Sequence, residues 1–233
     1  MSTNLVMLCR DRLRLTEQAL ESLYANTDAA KFSLVLVDDA SSDFRVRRLL
    51  QRYGEKPNAT LLRIEVSSHV LARAKNIGVE WSRQTFGDGE WLYLSDNDVA
   101  FLPGWLDKLT AVAERLEPNG YRLWGGQVHP FHHHDMLAFV GQFDWLPYSM
   151  LDGPSWLMRW QTWKDMGGLR GSDAGVCKGE DVDFCQRLIA SGGRIGVIKE
   201  HVVIHTGLTN SDGQDAPGRK EREAMIPKGV LAL

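Results

Sequence analysis

Apolar residues fall into two rhythms along the chain. Short continuous runs, "NLVMLC" from Asn4, "FSLVLVDD" from Phe32, "ATLLRIEV" from Ala59 and "EWLYLS" from Glu90, read as strands buried on both faces. Between them, apolar positions recur every three or four residues. "TEQALESLYA" sets Ala19, Leu20, Leu23 and Tyr24 on one helical face. "FRVRRLLQRYG" reads as a helix closed by Gly54, "VLARAKNIGVEWS" from Val70 is helical in pattern, and "GWLDKLTAVAERL" is a helix opened by Pro103.

Strand and helix thus alternate through Leu116 over short connections. That order predicts an α/β fold: a doubly wound, mostly parallel, Rossmann-like sheet with helices on both faces. Ligands of such sheets sit outside the carboxyl ends of the strands. Asp38–Asp39 and Asp96–Asp98 both stand at carboxyl ends, so they are expected to face one crevice. After Glu117 the rhythm loosens. "YRLWGGQVHPF" and "GPSWLMRW" read as strands and "WQTWKDMG" as a short helix. "GEDVDFCQRLIASGG" reads as a helix with Cys185, Leu188 and Ile189 inward, stopped by Gly192–Gly193. "RIGVIKEHVVIHTG" supplies one or two further strands, and residues 207–233 form a polar segment expected to be a flexible tail or lid.

Composition narrows the class. A chain of 233 residues, 43% hydrophobic and 24% charged, can bury the core of one α/β domain. Its net charge of -3 provides no basic field for nucleic acid, and "RVRR" and "RKER" read as solvated helix face or tail. No apolar run is long enough to cross a bilayer, and the N-terminus lacks a signal-peptide layout. The cysteines, Cys9, Cys177 and Cys185, are odd in number and form no CxxC pair, which points away from a disulfide framework or zinc knuckle and fits a reducing cytoplasm.

The chemistry concentrates in "WLYLSDNDVAFLPGWL". Residues two apart in a strand point to one side, so Asp96 and Asp98 would repel unless a cation or hydrogen-bond donors compensate. A hard divalent ion with oxygen ligands, Mg2+ or Mn2+, is one compensation. A polar strand-to-helix turn serving local backbone donors is the other.

These residues resemble a known family. "LSDNDVAFLPGWLDKL" looks like the DxD segment of GT-A fold glycosyltransferases, family 2 above all. "LVMLCRDRLRLTEQALESL", "LVLVDDASSD", "LARAKNIGVEWS" and "GEDVDFCQRLIASGGRIGVI" followed by "VVIHTG" resemble further family segments, in the expected order from Leu5 to Gly207. The resemblance implies one GT-A domain over residues 1–206, with a nucleotide-sugar-binding half (1–117) and an acceptor half (118–206) that carries a smaller mixed sheet. It implies that Asp39 hydrogen-bonds the nucleobase, since its acceptor oxygens suit the N–H of uracil or the donors of guanine. An acidic turn before a helix capped by Ser41 or Ser42 is the plainer alternative. Arg73 would pair with the diphosphate, though Lys75 is an equal candidate. Asn76 is structural as readily as donor-binding. Asp96 would hold the ribose or a metal-bound water, Asp98 would ligate Mn2+ or Mg2+, and His205 stands where some members place a third ligand. Glu180 and Asp181 match the acidic pair of a helix start, with Asp181 as the base; a first-turn position is also favoured by the helix dipole alone.

The sequence departs from the family in two places. Cys9–Arg10–Asp11–Arg12 replaces Thr–x–Asn–Arg. Cys9 and Arg12 keep donor-site positions, but Asp11 near a diphosphate is repulsive unless it turns away. His129, His132, His133 and His134 have no family role; an acceptor site, an adventitious metal site or an exposed polar loop would each account for them. Among the eight tryptophans, Trp156 is a candidate for stacking on a sugar, with core packing the alternative there and for Trp160 and Trp163.

The expected activity is metal-dependent transfer of a sugar from a nucleoside-diphosphate sugar, UDP-linked, to a saccharide or other hydroxyl acceptor, with inversion. A catalytically silent nucleotide-sugar-binding module is the non-enzyme alternative. A sugar-phosphate nucleotidyltransferase would carry a glycine-rich loop after the first strand, and "LCRDRLRLTE" has no glycine.

Overall fold

A computed structural model describes residues 2–67, 70–126, 151, 153, 155–170, 179–198, 200 and 202–206, and the backbone of 145–148. The first half runs β1 (Thr3–Cys9), α1 (Leu13–Asn26), β2 (Phe32–Asp39), α2 (Phe44–Gly54), β3 (Ala59–Ile64), α3 (Leu71–Phe86), β4 (Trp91–Asp96), β5 (Val99–Phe101) and α4 (Trp105–Leu116). The second runs β6 (Tyr121–Gly125), β7 (Trp145–Tyr148), β8 (Ser155–Arg159), α5 (Trp160–Met166), α6 (Glu180–Ala190), β9 (Arg194–Ile198) and β10 (Val203–His205).

Eight strands form one sheet in the order β3-β2-β1-β4-β8-β6-β9-β7. β1 pairs in parallel with β2 and β4, and β2 with β3. β8 enters antiparallel between β4 and β6, while β9 runs parallel to β6. The later strands therefore extend the central sheet, and the small second sheet is the antiparallel pair β5–β10.

Alternating residues explain why the strands read as unbroken apolar runs. Leu5, Met7 and Cys9 of β1 face one helical layer with Leu34 and Leu36 of β2; Val6, Leu8, Val35 and Val37 face the other. The first layer is α1, α2 and α4, the second α3, α5 and α6. α3 lies hard against the sheet at Gly78, where a methyl group would stand 2.4 Å from Val37 Cγ2 and 2.8 Å from Val6 Cγ1. Glycine is the residue that permits this approach, and it brings the whole α3 stripe of Lys75, Gly78, Val79 and Ser82 onto the strands.

Two local expectations are corrected. α2 is capped by Asp43, whose carboxylate accepts from Arg45 N at 2.9 Å, because Ser41 and Ser42 are drawn into other hydrogen bonds. In α6 the buried residues are Phe184, Cys185 and Leu188; Ile189, one step further round the helix, is 43% exposed.

Candidate active site

β4 ends at Asp96 and β5 begins only at Val99, so Asp96 and Asp98 do not share a strand face as expected. Asn97 between them is buried, and its amide donates to Thr16 Oγ1 at 2.7 Å and Asp11 O at 3.3 Å. This anchor fixes the link against the start of α1 while each carboxylate takes its own cation. Lys75 Nζ stands 2.9 Å from Asp96 Oδ1, a charge contact with no hydrogen bond directed at that oxygen. The same amine, 4% exposed, donates to Gly153 O at 3.1 Å.

Asp98 collects its partners from distant segments. Arg12 donates to its Oδ2 at 2.6 Å, and His205 Nε2 lies 3.1 Å from the same oxygen. Register brings the histidine there: β10 pairs with β5 so that His205 opposes Val99, and Thr206 N donates to Asp98 O at 2.7 Å. Burial opposes ionisation of Asp98 most strongly. The hydrogen bond and charge of His205 and the charge of Arg12 outweigh it and hold the carboxyl below its usual range. Its other oxygen, Oδ1, is buried and finds no hydrogen-bond donor among the described residues.

The end of β2 has different wiring. Asp38 is 1% exposed and saturated, with Oδ2 taking Arg63 at 2.6 Å and Oδ1 taking Ser41 N at 2.9 Å. Asp39 Oδ2 accepts from Ser67 Oγ at 2.9 Å. Arg10 donates to the same Ser67 hydroxyl at 2.9 Å and lies 3.9 Å from Asp39. Asp11 is engaged by the loop before α2: its Oδ1 accepts from Ser42 N at 2.8 Å and Asp43 N at 2.9 Å. The backbone between these contacts is left-handed at Asp11, Arg12 and Ala40, at φ 49, 57 and 56. Each such non-glycine residue costs on the order of 1 kcal/mol and persists where surrounding contacts over-determine it.

Three sequence-based assignments are corrected. Cys9 is wholly buried, and its thiol is turned towards Met7 O, so its side chain offers a ligand nothing. Trp156 is 1% exposed and packs on Phe184, 5.2 Å between ring centroids, so it is core and cannot stack on a sugar. Trp160 and Trp163 are buried in the same layer. Asn76 clamps the backbone of Leu169, donating to its O at 2.8 Å and accepting from its N at 3.0 Å, which occupies both ends of the amide.

Arg73 is exposed on the first turn of α3. Glu180 and Asp181 open α6, half-buried, and Asp181 Oδ1 accepts from Val182 N at 2.8 Å. α6 returns through Ser191–Gly193 to β9, which is parallel to β6, so the topology sets its N-terminus towards the edge where β1, β2 and β4 end. The histidines 129 and 132–134 and the segment 207–233 lie outside the described residues. Reading the sequence missed Arg10, Ser67 and the pairing of Lys75 with Asp96. A signal existed for the last, because Lys75 sits on the inward stripe of an amphipathic helix.

The residues fit a divalent cation in part. Among the described residues no group of three His, Cys, Asp or Glu side chains forms, since Asp96 is drawn to Lys75. Asp98 and His205 do stand together, and the donorless Asp98 Oδ1 is the kind of atom a cation satisfies. Two protein ligands suffice where substrate phosphates supply others.

The family model described as Glycosyl transferase family 2 matches residues 5–143. No curated protein matches the chain. Among solved structures, residues 1-349 of S. aureus TarS align at TM-score 0.61 and 17% identity over 86% of this chain and 58% of that one. The same fragment has been solved with UDP-GlcNAc. The mannosyltransferase PcManGT from Pyrobaculum calidifontis, in complex with GDP-Man and Mn2+, aligns at TM-score 0.68 and 16% identity over 91% of this chain and 58% of that one. GalNAc-T7 with UDP, GalNAc and Mn2+ aligns at TM-score 0.67 and 13% identity over 85% of this chain and 42% of that one. The chain thus spans less than two thirds of the length of each, and what they share with it is the GT-A fold.

Proposed function

The chain belongs to glycosyl transferase family 2, and we propose that it moves a sugar from a UDP-linked donor to the hydroxyl of a saccharide or other acceptor, with inversion and with Mn2+ or Mg2+ as cofactor. One observation carries the reading: Asp98, at the carboxyl ends of parallel strands, gathers Arg12 and His205 on one oxygen and leaves the other without a donor. A buried anionic oxygen in that state is costly, and a cation relieves it. Asp98 and His205 would hold the ion, and the mixed oxygen and nitrogen set suits Mn2+ better than Mg2+. When bound, the ion would neutralise charge on the departing diphosphate. PcManGT and GalNAc-T7, solved with Mn2+, support that reading.

The chain's own residues supply the remaining roles. Arg12 and Arg73 are the guanidinium partners of the diphosphate. Asp39 accepts from the base, and Asp96, with Lys75 beside it, holds the ribose. Asp181, beside Glu180 in the first turn of α6, takes the acceptor proton as the hydroxyl attacks; the helix N-terminus favours its ionised form. Attack opposite the leaving diphosphate inverts the anomeric carbon. Among the described residues no helix is long and apolar enough to cross a membrane, and the free buried thiols of Cys9 and Cys185 suit a reducing, cytoplasmic setting.

The test is UDP release from UDP-sugars with Mn2+, with and without acceptors. Asp181→Asn should lower turnover about 100-fold or more while the thermal shift produced by UDP and Mn2+ persists. Nucleotide binding without turnover under every acceptor would mark a silent module instead.

A further inference from the structure

The register of the sheet puts an unassigned pair of side chains at the base-binding end. Cys9 opposes Asp38 in the parallel pairing of β1 and β2, so Arg10 leaves β1 directly beside Asp39. Asp39 is buried, while the Arg10 side chain is 48% exposed. Ser67 joins them: its hydroxyl donates to Asp39 Oδ2 and accepts from Arg10, each at 2.9 Å. The guanidinium is thereby held 3.9 Å from the carboxylate without closing on it. A contact that long on an exposed arginine adds little stability, so its geometry needs another reason.

We infer that Arg10, positioned by Ser67, makes this site select uracil over guanine; the inference rests on the nucleotide-sugar reading given above. The pairing edge of uracil presents one N–H between two carbonyl oxygens. It asks the protein for an acceptor with a donor at its side, which is Asp39 flanked by Arg10. The pairing edge of guanine presents the O6 acceptor and then two adjacent N–H donors, and the two donors are best met by both oxygens of one carboxylate. Asp39 Oδ2 is already engaged by Ser67, with the arginine charge beside it. With both donors laid on Asp39, Arg10 meets guanine's second N–H group with another donor; with O6 turned towards Arg10 instead, that N–H group points away from Asp39 Oδ2 and its pairing to the carboxylate is lost. A site built to hydrogen-bond one pattern discriminates strongly, because the wrong base leaves buried polar groups unpaired.

Calorimetric titration of the full chain with UDP and with GDP, at saturating Mn2+, tests this. The unaltered chain should bind UDP at least about 10-fold more tightly than GDP. Arg10→Ala should weaken UDP about 10-fold and leave GDP within about 2-fold, because one partner of the uracil pattern is lost. Ser67→Ala should move the ratio the same way by releasing Asp39 Oδ2. Circular dichroism of both variants checks that the fold is kept; if either misfolds, Arg10→Gln and Ser67→Gly replace them. A preference for GDP in the unaltered chain overturns the inference. So does an equal loss for both nucleotides in Arg10→Ala, which would assign the arginine to the phosphates, or no change at all. If the unaltered chain binds neither nucleotide, the nucleotide-sugar reading itself falls, and that arm alone reveals it.

Discussion

The ends of β2 and β4 look alike in sequence, each an apolar run closed by aspartates, yet they have different wiring. At each end the inner carboxylate has a cation of the scaffold beside it: Arg63 reaches Asp38 at 2.6 Å, and Lys75 stands 2.9 Å from Asp96. The outer carboxylate gathers partners from distant segments, Asp39 with Ser67 and Arg10, Asp98 with Arg12 and His205. What separates the two ends is saturation. Both oxygens of Asp38 have donors, whereas Asp98 Oδ1 has none among the described residues. A pair of strand-end aspartates therefore does not by itself mark a metal site. Asp96 Oδ1 also lacks a donor but has the Lys75 ammonium against it; what sets Asp98 apart is a buried anionic oxygen with neither among the described residues, and the proposed cation would relieve it.

Substituting one carboxylate at each end tests this contrast most severely. Asp98→Asn should reduce Mn2+-dependent turnover about 100-fold or more and abolish the thermal shift that Mn2+ produces. Asp38→Asn should keep the Mn2+ shift and instead lower stability by about 2 kcal/mol, since Arg63 loses its buried partner. If both variants lost the Mn2+ response equally, the distinction between the two ends would be wrong.

The scaffold cations give a smaller effect. The Lys75 side chain is 4% exposed and that of Arg63 29%. Lys75→Met removes the charge facing Asp96 and a donor to Gly153 O, and should cost about 2 kcal/mol, or about 4–8 °C in Tm for a chain of this size. Arg63→Met should cost more, because it strands Asp38 as a buried carboxylate, 1% exposed, whereas water reaches Asp96, 28% exposed, and can serve it in place of Lys75. Thermal melts of the two variants decide it; equal losses would show that burial of the stranded carboxylate is not what sets the two ends apart.

Much of this architecture was legible in the sequence, for a physical reason. Strands covered on both faces give unbroken apolar runs, amphipathic helices give a clear period, and parallel pairing then sets both acidic stops at one edge of the sheet. The meeting of Asp98 with His205 was suggested only by resemblance. It depends on β5 and β10, three-residue strands with no periodicity, paired across about a hundred positions. Burial was the other blind spot. Trp156 and Cys9 have residue types that ligands often use, and only the packed sheet shows that one is core beside Phe184 and the other, on β1 itself, is sealed under the layer of α1, α2 and α4. Asn76 misleads in the opposite sense, because its clamp on Leu169 joins segments far apart in the chain.

Cys9 supplies the finest measure of the comparison, because it sits on β1 between the two ends, opposite Asp38 on one side and next to the residue opposite Asp96 on the other. Burial pushes its thiol well above the ordinary value, and the charges of Asp38 and then Asp96 push it further. The native state therefore resists the thiolate while the unfolded chain forms it freely. The stability tied to this group is complete below the ordinary thiol range and is lost as pH rises above it, by up to about 1.4 kcal/mol per pH unit. Urea unfolding between pH 8 and 10 should give a shallower decline in Cys9→Ala than in the unaltered chain. The pH at which the decline levels off should fall further in Asp38→Asn than in Asp96→Asn, since Asp38 exerts the stronger push. The reverse order would mean that Lys75 leaves more of the Asp96 charge unscreened than Arg63 leaves of Asp38, and the inner carboxylate of the β4 end would then be the less neutralised of the two.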